Sequence, residues 1–491
     1  MSHSTRRKFL GQVAGAAIAT SLPKVLQAQA GSAPARKPNI LLIWSDDMRP
    51  ELGCYGVSGI KTPNIDALAA RSLRFNRAYV QYPLCNPSRS SILTGHYPTQ
   101  TGVLDNREWW GREHPDWKTL PRWFREHGYT TMRNGKIFHD GIDDTNAWVE
   151  GGEAHRYADD DYEGIDVVAN PPTAPAEATS TRQGGQPSPN PQYVVLPQEG
   201  ETYGDYQHIS NVIDMLGECQ KAPDKPFFVA CGFTNPHSPP RAPESCYDEY
   251  DVSKIPLPED FYPHPTVPAG FPALSVPPVN TDLFVNRDAS EQEAREVKRA
   301  YWAAISFVDR EVGRVLKALD DLKLRDNTII IFCADHGYHL GEKGRWSKAY
   351  SLFDVAVRVP FLISMPGGMA NGKVCERNVE LINMYQTCCD LCGIPAPAGI
   401  EGTSLRPLLN DPSAKWDRPA YSVVAYRDAL GRSVRTEKWR YSQWVEGERG
   451  EVLFDVQNDP HELKNLATDP AHAATLVEMK ALLKNLPGRT R

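Results

Sequence analysis

Two short apolar runs, each ending abruptly in polar residues, constrain this chain more than any other feature. The first is Pro38-Asn39-Ile40-Leu41-Leu42-Ile43-Trp44-Ser45, followed at once by Asp46 and Asp47. The second is Thr328-Ile329-Ile330-Ile331-Phe332-Cys333-Ala334, followed by Asp335 and His336. A brief run with no polar alternation suits a strand buried on both faces of a parallel sheet, where helices cover each side. Before the second run, residues 289–320 place Val297, Ala300, Ala304, Phe307, Val308, Val312, Val315 and Leu319 on one helical face. Residues 226–232 and 360–365 supply further strands. This alternation predicts an α/β fold with a large, mostly parallel sheet flanked by helices. Polar residues just past the carboxyl ends of such strands line the active crevice.

Three segments are expected. Residues 1–30 contain Arg6-Arg7-Lys8, a weakly apolar stretch to Leu22, and Ala28-Gln29-Ala30. That order is a twin-arginine signal peptide, which predicts a periplasmic or secreted bacterial protein. Residues 31–395 form the α/β catalytic domain. From 396 to 491 short β-type runs follow at tight spacing, closed by a helix near 471–486, which predicts a smaller antiparallel sheet plus helix. Two long turn-rich stretches, 150–205 and 255–282, are expected to wall the substrate pocket.

Composition removes several function classes. There are 54 Lys+Arg against 61 Asp+Glu, a net charge of −7, and no long basic run, so a nucleic-acid surface is not expected. No apolar stretch after the leader is long enough to span a membrane. The ten cysteines are too scattered for a disulfide framework. Cys389-x-x-Cys392, closed by Gly393-Ile394-Pro395, reads as a buried helix end.

The segment Pro83-Leu84-Cys85-Asn86-Pro87-Ser88-Arg89-Ser90-Ser91-Ile92-Leu93-Thr94-Gly95 carries the most chemistry. Pro87 and its neighbouring serines, with apolar residues after them, place Cys85 at or just before a helix N-terminus. Free N–H groups and the positive dipole end favour an anion there, and Arg89 one turn on adds a fixed positive charge. These residues describe a nucleophile or an anion site. Asp46, Asp47 and Asp335 are hard oxygen ligands suited to Ca²⁺ or Mg²⁺. A divalent ion there would relieve carboxylate repulsion and polarise an anionic substrate.

Cys85, Pro87, Ser88, Arg89, Leu93, Thr94 and Gly95 match in full the signature C-x-P-S-R-x-x-x-L-T-G, and through it the chain resembles the type I sulfatases. The resemblance extends over nearly the whole mature chain. It is closest to the iduronate-2-sulfatase branch, through Gly135-Lys136-Ile137-Phe138-His139, Asn235-Pro236-His237 and the segment from Ala334 to Lys348. It implies an alkaline-phosphatase-like fold and oxidation of Cys85 to formylglycine by a maturation enzyme. It also implies Ca²⁺ held by Asp46, Asp47, Asp335 and His336 with the matured Cys85; His336, where many relatives carry Asn or Gln, leaves Mg²⁺ open. Lys136 and Lys348 would bind sulfate and Arg89 would clamp the formylglycine. His237 would be the general acid, and His139 would help expel sulfate. His339 is at most a substrate-side contact, and Arg435 is a candidate partner for a substrate carboxylate.

The implied activity is hydrolysis of a sulfate ester on a carbohydrate, either a uronate 2-sulfate or an algal polysaccharide. Two alternatives stay open at this point. One is a phosphonate or phosphate monoester hydrolase of the same fold, and the other is a sulfated-glycan binding protein without catalysis.

Overall fold

The strand Asn39–Ser45 (β1) is buried along its whole length and lies at the centre of an eight-stranded sheet. The computed structural model describes residues 36–149 and 192–488. The leader expected at 1–30 and most of the 150–205 insert lie outside the described residues. The other strands, in chain order, are β2 (Leu73–Tyr79), β3 (Thr130–Gly135), β4 (Val194–Leu196), β5 (Phe227–Gly232), β6 (Arg241–Pro243), β7 (Thr328–Ala334), β8 (Arg358–Val359), β9 (Phe361–Ser364) and β10 (Val374–Glu380). The large sheet runs β10-β2-β9-β7-β1-β5-β3, with β8 on β2. Its pairings β1·β5, β1·β7, β3·β5 and β2·β10 are parallel, whereas β9 runs against both β7 and β2.

Register does the functional work here. Ser45 pairs with Ala334, Trp44 with Gly232, and Gly232 with Gly135. The carboxyl ends of β1, β7, β5 and β3 therefore stop at one level, and the residues after them meet at one crevice. Gly135, at φ 76, and Gly232 are required at this level. A Cβ on Gly135 would run into the Gly232 carbonyl oxygen, and one on Gly232 would strike the backbone of Lys136.

The helix Glu291–Asp321 is longer than most and opens with a capping box between Ser290 and Glu293. It buries the apolar face read from the sequence against the large sheet's core, with Ala300, Val308, Val312 and Leu319 fully enclosed.

The C-terminal strands β11 (Ala420–Tyr426), β12 (Ala429–Arg435), β13 (Trp439–Trp444) and β14 (Glu451–Asp455) form an antiparallel meander, followed by the helix Ala473–Leu483. This sheet does not own its core. Val423, Val434, Leu453 and Met479 pack in one cluster with Tyr82, Tyr97, Leu352 and Phe353 from before residue 396, so the described residues from Lys37 on belong to one unit. Cys389 and Cys392 lie at a buried helix end, and all ten cysteines are free.

Glu380, at the end of β10, joins the two sheets. Its carboxyl oxygens accept from Tyr421 N at 2.9 Å and the Tyr97 hydroxyl at 2.8 Å. Burial outweighs these bonds, with Glu401 adding to it, and pushes the Glu380 carboxyl up to about 7. A raised carboxyl favours the fold while protonated, fully so below the ordinary value, and that stabilisation is lost as pH rises through 7. Glu380→Gln keeps the bond from Tyr421 and donates to Tyr97. It is expected to gain about 3 kcal/mol over the parent at pH 8 and to approach parity below pH 5. Urea unfolding at the two pH values checks this; equal differences at both would refute it.

Candidate active site

Asp46 and Asp47 follow β1, and Asp335 and His336 follow β7, so register brings the four together. In an extended chain, consecutive side chains point to opposite faces. Asp47 breaks that alternation with φ 60, a region Asp tolerates better than most residues. Its backbone oxygen accepts from the Tyr301 hydroxyl at 2.6 Å, which helps hold the turn.

Cys85 opens the helix Cys85–Thr94, in which every residue is buried. Its Sγ lies 3.3 Å from His336 Nε2 and 3.5 Å from Asp46 Oδ1. One ligand atom from each of Asp46, Asp47, Cys85 and His336 fits within 4.8 Å of the others. Asp335 lies beside them, its Oδ2 3.6 Å from His336 Nε2. Its Oδ1 accepts from the amides of Asp47 at 3.1 Å and His336 at 2.9 Å, and its Oδ2 accepts from Arg89 Nε at 2.8 Å.

Fixed cations surround these groups. Lys136 Nζ donates to Asp46 Oδ2 at 2.5 Å, and Lys348 Nζ to Asp47 Oδ2 at 2.8 Å. Arg89 has no exposed surface; besides Asp335 it donates to the carbonyls of Lys136 at 2.6 Å and Ile137 at 3.0 Å, and it lies over the Trp44 ring. Burial and Asp46 push the Cys85 thiol up, but Lys136, His336 and Lys348 override them and hold it well below its ordinary value. Burial also opposes ionisation of Asp46, and Lys136 overrides it downward. Burial opposes a charged His336, yet Asp335, Cys85 and Asp47 draw its ring up to about 10.

These residues fit a hard divalent cation. Two buried carboxylates and an imidazole converge, and Asp47 Oδ1 is buried with no hydrogen-bond partner among the described residues, which suits an oxygen reserved for a metal.

The histidines separate by geometry. His237 Nδ1 faces the Ser238 carbonyl at 2.8 Å, which turns Nε2 to within 3.1 Å of Lys348 Nζ. Burial and Lys348 disfavour its charged form, but Asp47 and Asp46 reverse the balance and raise it. His139 follows β3, and no hydrogen bond joins it to the cluster among the described residues; its Nδ1 is buried and unpartnered. His339 is fully buried and bonded to Ser351 Oγ at 2.7 Å. Burial presses it down to about 3, so its ring is neutral. Arg435 reaches the Thr436 carbonyl and stacks on Tyr79, 3.9 Å from Asp354, which Arg440 also engages. It belongs to the seam between the sheets.

Three positioning groups carry no local sequence signal. Asp205, in the helix Gly204–Lys221, accepts from the amides of Thr234 and Asn235 at 2.8 and 3.0 Å and fixes the loop of His237. Arg49 donates to Glu342 Oε1 at 2.7 Å and so ties the loop after β1 to the loop after β7. Asp282, at the end of the proline-rich stretch, lies 3.6 Å from Lys348. Each works across a separation that only folding closes.

The comparisons agree with this geometry. The sulfatase family profile matches residues 38–394, and the profile described as N-sulphoglucosamine sulphohydrolase, C-terminal, matches 341–488. Iduronate 2-sulfatase of Mus musculus is 32% identical, over 90% of this chain and 93% of its own length. A sulfatase of Formosa agariphila is 31% identical, over 91% of this chain and 86% of its own. Among solved structures, a 2-O GAG sulfatase superposes with a TM-score of 0.64 at 25% identity, covering 91% of each chain. With a profile over most of its length and relatives of this closeness, the chain belongs to the sulfatase family and is a sulfuric ester hydrolase similar to the iduronate 2-sulfatases.

Proposed function

We propose that this enzyme removes sulfate from a sulfated carbohydrate, with a uronate 2-sulfate as the first choice of substrate. The observation that carries this reading is the placement of Cys85 Sγ at a helix N-terminus, against His336 and Asp46, in a cluster where Lys136 is bonded to Asp46 and Lys348 to Asp47. The sulfur marks the position of the nucleophile in the mature enzyme. Oxidation of Cys85 by a formylglycine-generating enzyme would supply a hydrated aldehyde as nucleophile, and a divalent cation, Ca²⁺ by preference, would polarise a sulfate oxygen. Asp46, Asp47, Asp335 and His336 would hold that cation together with the matured Cys85.

The remaining roles belong to the chain's own side chains. Lys136 and Lys348 place positive charge where the sulfate oxygens gain negative charge in the transition state, and they do so in a buried site where solvent screening is weak. Arg89 is the fixed cation behind the nucleophile and sets the orientation of Asp335. His237 holds its ring by Nδ1 and presents Nε2 beside Lys348; Asp47 and Asp46 favour its protonated form, and the Nε2 proton passes to the departing sugar oxygen while Lys348 keeps its charge. His139 is assigned to the second half of the reaction, as the base that takes a proton so that sulfate can leave. Residues 31–395 are proposed as the catalytic domain and 396–491 as a subdomain completing it. The twin-arginine pattern at 1–30 supports export of the folded, matured enzyme to the periplasm or beyond.

Parallel rates on nitrophenyl sulfate and nitrophenyl phosphate test the reaction class. Sulfate is expected to be preferred by at least about tenfold in kcat/KM. A phosphate preference would replace this reading with a phosphonate or phosphate monoester hydrolase. Peptide mass analysis of enzyme from a maturation-competent host is expected to show Cys85 with H2S lost and O gained. An unmodified thiol in an inactive protein that still binds sulfated glycan would make it a binding protein.

A further inference from the structure

Two residues near the site hold their backbones in the left-handed region at a cost. Tyr350 has φ 66 and Arg427 has φ 55, and a bulky residue held there costs on the order of 1–3 kcal/mol. Tyr350 is two positions after Lys348, so it lies within about 7 Å of it along the chain. Arg427 begins the two-residue turn between Tyr426 and Ala429, which pair at the ends of β11 and β12. A positive φ at the first position of such a turn favours Gly, yet an arginine stands there.

Both strained residues are held by their neighbours. The Ala349 carbonyl accepts from Arg345 Nη2 at 3.0 Å, and Ser351 is bonded to His339. Across the seam, Ala425 N donates to the hydroxyl of Tyr82, three residues before Cys85, at 2.8 Å. The result is one cluster: the Tyr350 and Tyr426 ring centroids are 4.8 Å apart with the rings inclined at 46°, and the Arg427 guanidinium lies over the Tyr426 ring, 5.1 Å from its centre. Both tyrosines are half-buried and Arg427 is exposed. Among the described residues, no side chain forms a salt bridge with Arg427, and neither tyrosine hydroxyl has a hydrogen-bond partner.

We propose that Tyr350, Tyr426 and Arg427 form a subsite for the sugar that adjoins the sulfated one, reading an anionic group on that neighbour. This rests on the carbohydrate-sulfatase reading above and narrows it to a linked, doubly anionic substrate. Phenol rings offer a flat face to the C–H surface of a pyranose and hydroxyls to its oxygens. A guanidinium held over one of these rings pairs with a carboxylate or a sulfate in the same planar geometry. The hairpin of the C-terminal sheet thereby gains a role in choosing substrate, and the strain at its tip is explained by the need for a charged side chain there.

The test compares Tyr426→Ala and Arg427→Ala with the parent on nitrophenyl sulfate and on three disaccharides. In these a 2-sulfated uronate is linked to a neutral sugar, to an N-sulfated sugar or to a second uronate. For both variants, kcat/KM on the charged disaccharides relative to nitrophenyl sulfate is expected to fall at least about tenfold, mostly through KM. Arg427→Lys should recover part of the loss. The N-sulfated and uronate arms identify which anion is read. An equal loss on all substrates, or the same loss on the neutral disaccharide for Arg427→Ala, would overturn the subsite. Calorimetric titration of the same proteins with the N-sulfated and uronate disaccharides separates this inference from the reaction class. Weaker binding by both variants in an enzyme that releases no sulfate would uphold the subsite and remove the sulfatase reading. Unchanged binding in an enzyme that does release sulfate would do the reverse.

Discussion

Cys85→Ala is expected to lower kcat for sulfate release by at least about 10⁴-fold while substrate affinity stays within a few-fold. The thiol is buried at a helix start and contacts Asp46 and His336 through Sγ alone. Its removal leaves Lys136, Lys348 and Arg89 in place to bind the anion. Alanine also suits the first turn of a helix, so the unfolding free energy should move by no more than about 1 kcal/mol. Purified variant and parent are compared by sulfate release, by calorimetric affinity and by urea unfolding. A variant that kept more than a tenth of the parent's kcat would show that the nucleophile is elsewhere, and the proposed chemistry would fall with it.

Arg89→Met is expected to cost about 3–5 kcal/mol of folding stability, the range for removing one partner of a buried charge pair. Arg89 is fully enclosed and donates to Asp335 and to two carbonyls beyond β3. Methionine fills part of the volume but leaves the Asp335 carboxylate and the Lys136 and Ile137 carbonyls without their donor. The loss should be read in urea midpoints rather than in activity, since activity falls for chemical reasons as well. A cost below about 1 kcal/mol would mean that Asp335 is compensated by its two amide bonds alone, and that Arg89 serves only the reaction.

Much of this was legible in the residues because the physics is local. A continuous apolar run specifies a doubly covered strand, and the limits 328–334 read from the sequence are those of β7. The spacing around Pro87 places Cys85 at or just before the start of a helix, and it is the first residue of the helix Cys85–Thr94. Helical periodicity located Glu291–Asp321 to within two residues at its start. The short β-type runs after 396 became the four-stranded meander, with the closing helix shorter than 471–486. In each case hydrogen bonding and burial within one segment determine the outcome.

What local pattern does not contain is which distant groups meet. Asp335 reads as a metal ligand like Asp46, and what the pattern does not contain is that pairing of Ser45 with Ala334 also brings it within reach of Arg89 and two amides. His139, His237 and His339 are three loop histidines of the same kind in the sequence. The fold gives one a lysine partner in the site, buries another as a neutral ring, and leaves the third without a bond to the cluster among the described residues. Arg435 looks like a carboxylate reader until β12 carries it to the seam beside Asp354 and Tyr79.

The chain's own order of residues determined the strands, the nucleophile's helix and the identity of the charged groups, because those depend on neighbours a few positions away. The tertiary structure decided which charges neutralise one another, which imidazole faces Lys348, and where Tyr350, Tyr426 and Arg427 come together. Those outcomes depend on distances of a few ångströms between segments tens to hundreds of residues apart, and such distances are set by sheet register and shared packing.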